Sequence, residues 1–352
     1  MAREHVVAKQ QHEPNKIHAA VEAVVEKRQP KAAVAREAGV SVGVLSGWIQ
    51  KYQGLAPEDI AAHQQATADT RYIRVMRQLF ERHLKKSATS FEWQRREVDE
   101  IARELGFAAL KNIGDAIYSI RHAREELPDE IRRLAPRGKH WLLLPNGKGS
   151  YKFVLGTANI IEPDFRPAIK IPDATPQIVG RYALGDEQAV LARVRYNRLI
   201  DIFLAITSSA LQSHFRTTVA AFKKSQIETD ELYVAVDLNG AQYIVPVQAK
   251  GADENVGAVQ AIQDVYCCRE KFPGLVCRAV AAKTVEVEKA PDGGDIHTIA
   301  MMELAIANDF DVWIPRQERY QLVPASMITR AELETYRRTA ASQLSAPRRK
   351  NR

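Results

Sequence analysis

The apolar positions of this chain change period midway. From Pro14 to Tyr52 they recur at helical spacing, first as Ile17, Ala20, Val21, Val24 and Val25, then as Val34, Ala35, Ala38, Val40, Leu45 and Trp48. The pattern predicts a helix over Asn15 to Lys27, a short one from Lys31 to Ala38, and a third ending near Tyr52. Gly39 supplies the left-handed turn between the last two and Ser41 caps the third. A polar stretch, Gly54 to Thr70, reads as a linker. Helical spacing resumes at Arg71 and continues through Glu97–Gly106 and Ala109–Glu126, with Leu105-Gly106-Phe107 as a helix stop. The period then falls to two. Trp141 to Leu155 predicts a β-hairpin with Asn146-Gly147-Lys148-Gly149 at its tip.

Residues 156–180 are proline-rich and show no helical period, so they read as a connection. Asp186 to Leu204 predicts one long capped helix, and Thr207 to Phe222 a second helical run. Leu232–Val236 and Tyr243–Val247 are β-branched or aromatic runs flanking Asn239-Gly240, the strongest short hairpin signal in the chain. A helix over Asn255–Lys271 follows. The expected organisation is a helix-turn-helix domain over 1–66, a winged-helix-like domain over 67–160, a catalytic domain over 161–330, and a helical end with a basic tail over 331–352.

Composition narrows the class. The chain has 352 residues, 45% apolar and 26% charged, an ordinary globular balance that excludes a disordered or fibrous chain. Three cysteines cannot form a disulfide scaffold and fit a reducing compartment. Met1 to Gln11 has no apolar core, and the longest uncharged apolar stretch, Ile202 to Ser213, is too short to span a bilayer. The expected location is the cytoplasm, with no membrane partner. The net charge of +7 is unevenly spread: residues 1–150 carry 25 basic and 19 acidic side chains, residues 151–300 carry 16 and 18, and the rest 9 and 6. Basic ends around an acidic middle suit a protein that grips a polyanion by its ends and collects carboxylates between them.

The spacing of Ala35, Gly39, Val40, Leu45 and Trp48 resembles the helix-turn-helix of bacterial regulators and transposases. That resemblance puts Ser46, Gln50 and Lys51 on the exposed face of a DNA-recognition helix. The helices bearing Lys111, Arg121 and Arg124, followed by a hairpin with Lys148 at its tip, resemble a winged helix and add a second set of DNA contacts.

The chemistry lies in Gln226 to Gly251, QIETDELYVAVDLNGAQYIVPVQAKG. One arm of the hairpin begins with Glu228, Asp230 and Glu231, and the other ends with Gln248-Ala249-Lys250. A hairpin returns the chain, so these groups meet at one end. Gln248 and Lys250, two apart on a strand, share a face. With its flanking helices this hairpin resembles the core of the PD-(D/E)xK nucleases, and over roughly residues 76–324 the chain looks like bacterial type II restriction endonucleases. The resemblance implies a mixed α/β fold, a restriction-endonuclease-like core with helices flanking a central sheet. It implies Mg²⁺ as cofactor, held by Asp230 and the Gln248 carbonyl with Glu228 or Glu231 nearby, and Lys250 beside the attacking water. It also implies Mg²⁺-dependent, sequence-specific cleavage of double-stranded DNA by a homodimer, partnered by a cognate DNA methyltransferase. Gln263, and less so Gln260, on the following helix are candidate phosphate contacts, and Glu187 a candidate for a second metal. Two departures stand out: Thr229 replaces the motif's proline, and Gln248 its second acid. The competing expectation is a catalytically inactive or accessory DNA-binding regulator or transposase-associated protein.

Overall fold

The structure, a computed structural model, describes residues 14–40, 45–46, 48–49, 52–60, 71–85, 88–107, 113–122, 127–182, 187–291, 293–308 and 310–345. The chain divides into two compact units, residues 1–76 and 77–352.

In the first unit, α1 (Pro14–Val25) starts on a proline, whose fixed φ suits the first helical position. Helix α2 (Lys31–Glu37) ends at Ala38, after which Gly39 adopts φ +63°. The Val40 N–H reaches back to the Ala35 carbonyl at 2.9 Å, a left-handed cap that closes the helix end. Ile17, Val21, Val34, Ala35, Leu45 and Trp48 are buried in one apolar cluster, the packing that the spacing predicts. Gln50, Lys51 and the expected cap Ser41 lie outside the described residues.

Helix α3 (Arg71–His83) turns Leu79 and Phe80 inward. Phe80 meets the rings of Phe91, Trp141 and Phe153 at centroid distances of 5.0, 5.6 and 4.6 Å. These rings stand on an antiparallel three-stranded sheet, β1 (Ser90–Gln94), β2 (His140–Pro145) and β3 (Ser150–Gly156), ordered β1-β3-β2. The β2–β3 hairpin is the expected one; β1 is unexpected, although Phe91 and Trp93 alternate with polar residues along it. Helices α4 (Arg95–Glu104), α5 (Ile113–Arg121) and α6 (Asp129–Arg132) complete this section.

The remaining elements are β4 (Ile160–Ile161), β5 (Ile169–Pro172), α7 (Gln177–Tyr182), α8 (Glu187–Tyr196), α9 (Leu199–Leu204), β6 (Thr207–Val219), β7 (Ser225–Val236) and β8 (Gln242–Lys250). They continue with β9 (Val256–Gly257), α10 (Ala258–Lys271), β10 (Val276–Cys277), β11 (Ala279–Lys289), β12 (Asp295–Ala307), β13 (Asp311–Val323) and α11 (Arg330–Ser345). The main sheet runs β5-β13-β12-β11-β8-β7-β6, with β10 also pairing β8. Strands β6, β7 and β8 form an antiparallel meander, α10 crosses over, and β11 lies parallel to β8. Helices α8 and α9 cover one face, packing Val190, Leu199 and Phe203 onto Tyr233, Val247 and Val280. On the other face α10 packs Ala258 and Ile262 onto Ile227, Ala279 and Met302. The fold is therefore mixed α/β with helices flanking a central sheet, and among the described residues no helix is long and apolar enough to cross a membrane.

Three expectations change. Thr207–Val219, read as helix, is strand β6. Its serines and threonines compete with helical backbone bonds, and pairing with β7 at the sheet edge satisfies them instead. The single long helix over 186–204 is two helices, because Arg198 adopts φ +49°. There the buried Asn197 amide donates to the Arg193 carbonyl at 3.0 Å and accepts the Ala174 N–H at 2.8 Å. Residues 77–160 and the sheet also share one core: Leu142, Leu144 and Val154 pack with α10 residues, β4 pairs β9, and Lys139 bridges to Asp311 at 2.7 Å.

The break between α8 and α9 sets which face of α9 is buried, leaving Phe203 at 2% exposure and Ile202 at 48%. Phe203→Ala is expected to cost about 3–5 kcal/mol and Ile202→Ala less than about 1 kcal/mol in urea unfolding. Equal costs would contradict this placement of the break.

Candidate active site

The β7–β8 hairpin closes as its sequence directs. The Asp237 carboxylate accepts the N–H groups of Asn239 and Ala241, both at 2.9 Å, and Gly240 takes φ +83°. Paired residues run from Val236 opposite Gln242 to Glu231 opposite Val247. At that end the alternation of β7 slips. Thr229 donates its hydroxyl to Asp264 on α10 at 2.5 Å, whereas Glu231, two residues on, is ion-paired with Arg195 on α8. Between them Asp230 turns over the end of β8, and its Oδ2 accepts the Ala249 N–H at 2.9 Å.

Lys250 ends β8 at 6% exposure. A buried ammonium needs a partner, and Glu187 at the start of α8 supplies one at 2.9 Å. Asp230, Lys250 and Glu187 together line an open cleft of about 680 Å³, with Glu228, Gln260, Gln263 and Arg121 also on its walls. Burial raises the pKa of Asp230; Lys250 and the Ala249 N–H oppose the shift, and the nearby charges of Glu187 and Glu228 add to it. Glu228 is drawn the other way, below its ordinary range, chiefly by a 3.0 Å hydrogen bond from Arg216.

The structure thus places Asp230, Lys250, Glu228, Arg121 and Gln263 around one cleft. It does not place Gln248 or Glu231 there. Glu231 is fully buried on the opposite face, held by Arg195 and by the Tyr233 hydroxyl at 2.8 Å. Gln248 is 2% exposed and sits in a buried chain. Its amide nitrogen donates to Asp264 Oδ2 at 2.9 Å, and its carbonyl accepts from Gln260 at 3.0 Å. Lys148 is exposed at the β2–β3 tip, Ser46 is half-buried in the first unit, and Lys111 lies outside the described residues.

Sequence reasoning did not find Asp264. Its signal is an acid four residues after Gln260 in the buried part of a helix whose other acid, Glu270, lies at its exposed end; the spacing puts Asp264 and Gln260 on one face. Burial pushes the Asp264 carboxyl up to about 7, against the lowering effect of its bonds from Thr229 and Gln248. Among the described residues no group of three or more His, Cys, Asp or Glu side chains could hold a metal ion. Mg²⁺ retains several waters and needs only one or two carboxylates, so Asp230 and Glu187, facing one cleft, fit it. No family model, curated protein or solved structure matches the chain.

Two outcomes follow from the buried chain. A carboxyl whose folded pKa lies above its unfolded value stabilises the fold fully below the unfolded value and loses that contribution as pH rises through the folded one. Between about pH 4 and 7, Asp264 should therefore lower stability by up to about 1.4 kcal/mol per pH unit. Asp264→Asn should flatten that slope in a pH series of urea midpoints; an unchanged slope would contradict the assignment. Gln248→Glu would set a second carboxylate against Asp264 in a closed site, so it should lower the thermal midpoint at neutral pH and restore much of it near pH 5. A midpoint equal to that of the unaltered protein at both pH values would refute this placement.

Proposed function

We propose that the protein is a Mg²⁺-dependent endonuclease that hydrolyses phosphodiester bonds in double-stranded DNA, a type II restriction enzyme in its action. The observation that carries this reading is the meeting of Asp230, Lys250 and Glu187 at the ends of adjacent elements in one open cleft. Asp230 and Glu187 would hold the metal, which when bound offsets the charge that develops on the phosphate. Lys250 directs an N–H at the water that attacks phosphorus as the bond to the leaving oxygen breaks. The Glu187 pairing fixes that lysine in direction. Gln248, Gln260 and Asp264 brace the end of β8 from below and act through Lys250 and Asp230 rather than on the phosphate. A homodimer would put one such cleft on each strand, and a cognate methyltransferase would protect the host sites.

One observation favours a second reading, that of a DNA-binding regulator without cleavage. Gln248 presents no oxygen to the cleft, so the second strand of the hairpin brings Lys250 there without an acid two residues before it, and the cleft's hairpin acids, Asp230 and Glu228, both come from β7. The readings separate in a plasmid assay. Under the nuclease reading, Lys250→Ala and Asp230→Asn each lower Mg²⁺-dependent cleavage at least about 10³-fold, about 4 kcal/mol of barrier, with DNA affinity within about threefold. Cleavage by Lys250→Ala at the unaltered rate would overturn the assignment of this site.

A further inference from the structure

The cleft holds more donors than the cut itself requires. Arg121, at the end of α5, lies in the section whose sequence resembles a winged helix, yet its side chain lines the wall of the Asp230–Lys250 cleft. A Cβ built at Gly257, the residue before α10, would sit 3.5 Å from the His122 carbonyl and 3.6 Å from Gln260 Oε1. The end of α5 therefore abuts the head of α10, a fourteen-residue helix whose N-cap makes no side-chain hydrogen bond. Partial positive charge collects at such an end.

Among the described residues, neither of two donor side chains here meets a carboxylate. The guanidinium of Arg121 meets the His122 ring nitrogen through Nε and Nη2 at 3.1 and 2.9 Å, and among the described residues no carboxylate pairs with it. Burial lowers its pKa, against the raising effect of Tyr151 and Tyr118. Gln263, one turn along α10 from Gln260, is 3% exposed and lines the cleft, and among the described residues its amide nitrogen has no hydrogen-bond partner. A buried amide donor left unmade costs about 1–3 kcal/mol. Lys250, by contrast, is already matched by Glu187. A ligand oxyanion would satisfy both Arg121 and Gln263, and it must also offset repulsion from Glu187, Glu228, Asp230, Asp253 and Glu254 on the same walls.

We infer that Arg121 and Gln263, at the head of α10, form a phosphate subsite that holds the backbone of the DNA strand lying in the cleft. The inference rests on the nuclease reading for its substrate. It recasts residues 77–160: this section contributes a wall of the catalytic cleft rather than acting only as a separate DNA reader. Arg121 supplies a charged fork to a phosphate, and Gln263 a neutral donor to an oxygen of the same strand.

The two roles give different salt signatures. Binding of a fluorescein-labelled DNA duplex to the full-length protein is measured in EDTA across a KCl series, which keeps cleavage out of the readout. Arg121→Ala should weaken binding about tenfold and reduce the slope of log affinity against log salt by about 0.9, one phosphate contact. Arg121→Lys should keep the slope. Gln263→Met, close in size and without the donor, should weaken binding about tenfold and leave the slope unchanged. Both variants binding as the unaltered protein does, with dichroism showing them folded, would overturn the subsite. Loss of affinity in this pattern, with an unaltered protein that never cuts plasmid, would uphold the subsite and sink only the nuclease reading. Cutting by the unaltered protein, with both variants at full affinity, would do the reverse.

Discussion

The ammonium of Lys250 sits at the end of a strand covered on both faces, and everything at the cleft follows from matching that charge. Strand β8 lies between β7 and β11, with α8 and α9 packed on one side and α10 on the other, so its last residues are buried although a strand end is ordinarily wet. A buried cation without a partner would cost several kcal/mol. Glu187 supplies the partner, which fixes where α8 begins relative to the sheet, and Asp230 supplies a second negative charge from β7. On the α10 side no charge is available to balance another, so the polar groups there close on one another in the run Thr229, Asp264, Gln248, Gln260. The same burial that makes these groups costly holds them rigid, and a rigid lysine and carboxylate at one cleft are what directed attack on a phosphate requires.

Parts of this arrangement were legible in the sequence because they are local. Asn239-Gly240 between two β-branched runs specifies its hairpin without help from the rest of the chain, and the acid-then-lysine spacing across it brings Asp230 and Lys250 together. Gly39 and Gly106 mark helix ends by their need for positive φ. The apolar stripe of the first unit likewise found its own core. What escaped notice depends on distant partners. Strand β6 has no strong alternation of its own and is a strand because β7 offers it an edge. The α8–α9 break turns on Asn197 bonding to Ala174, far back in the chain. Glu231 looks like Asp230 in sequence, and only the slip at the end of β7 sends it to Arg195 on the other face.

Gln248 shows why a motif position is not a role. Its spacing from Lys250 is that of a metal ligand, and its side chain is instead spent on holding Asp264 and Gln260. A glutamine suits that task because it donates with one atom and accepts with the other, which a carboxylate there could not do without taking up a proton. The acidic character of the cleft comes instead from Asp230 and Glu228 on β7, Glu187 on α8, and Asp253 and Glu254 after β8. Carboxylates gathered from separate elements repel one another, and the raised pKa of Asp230 records that repulsion on top of its burial. A divalent cation would relieve it.

Cleavage of supercoiled plasmid by the full-length protein, with Mg²⁺ and in parallel with EDTA, tests this account most directly. Linear DNA with discrete ends is expected in Mg²⁺ and intact supercoiled DNA in EDTA. Plasmid that the protein binds but leaves supercoiled at every Mg²⁺ concentration would contradict it.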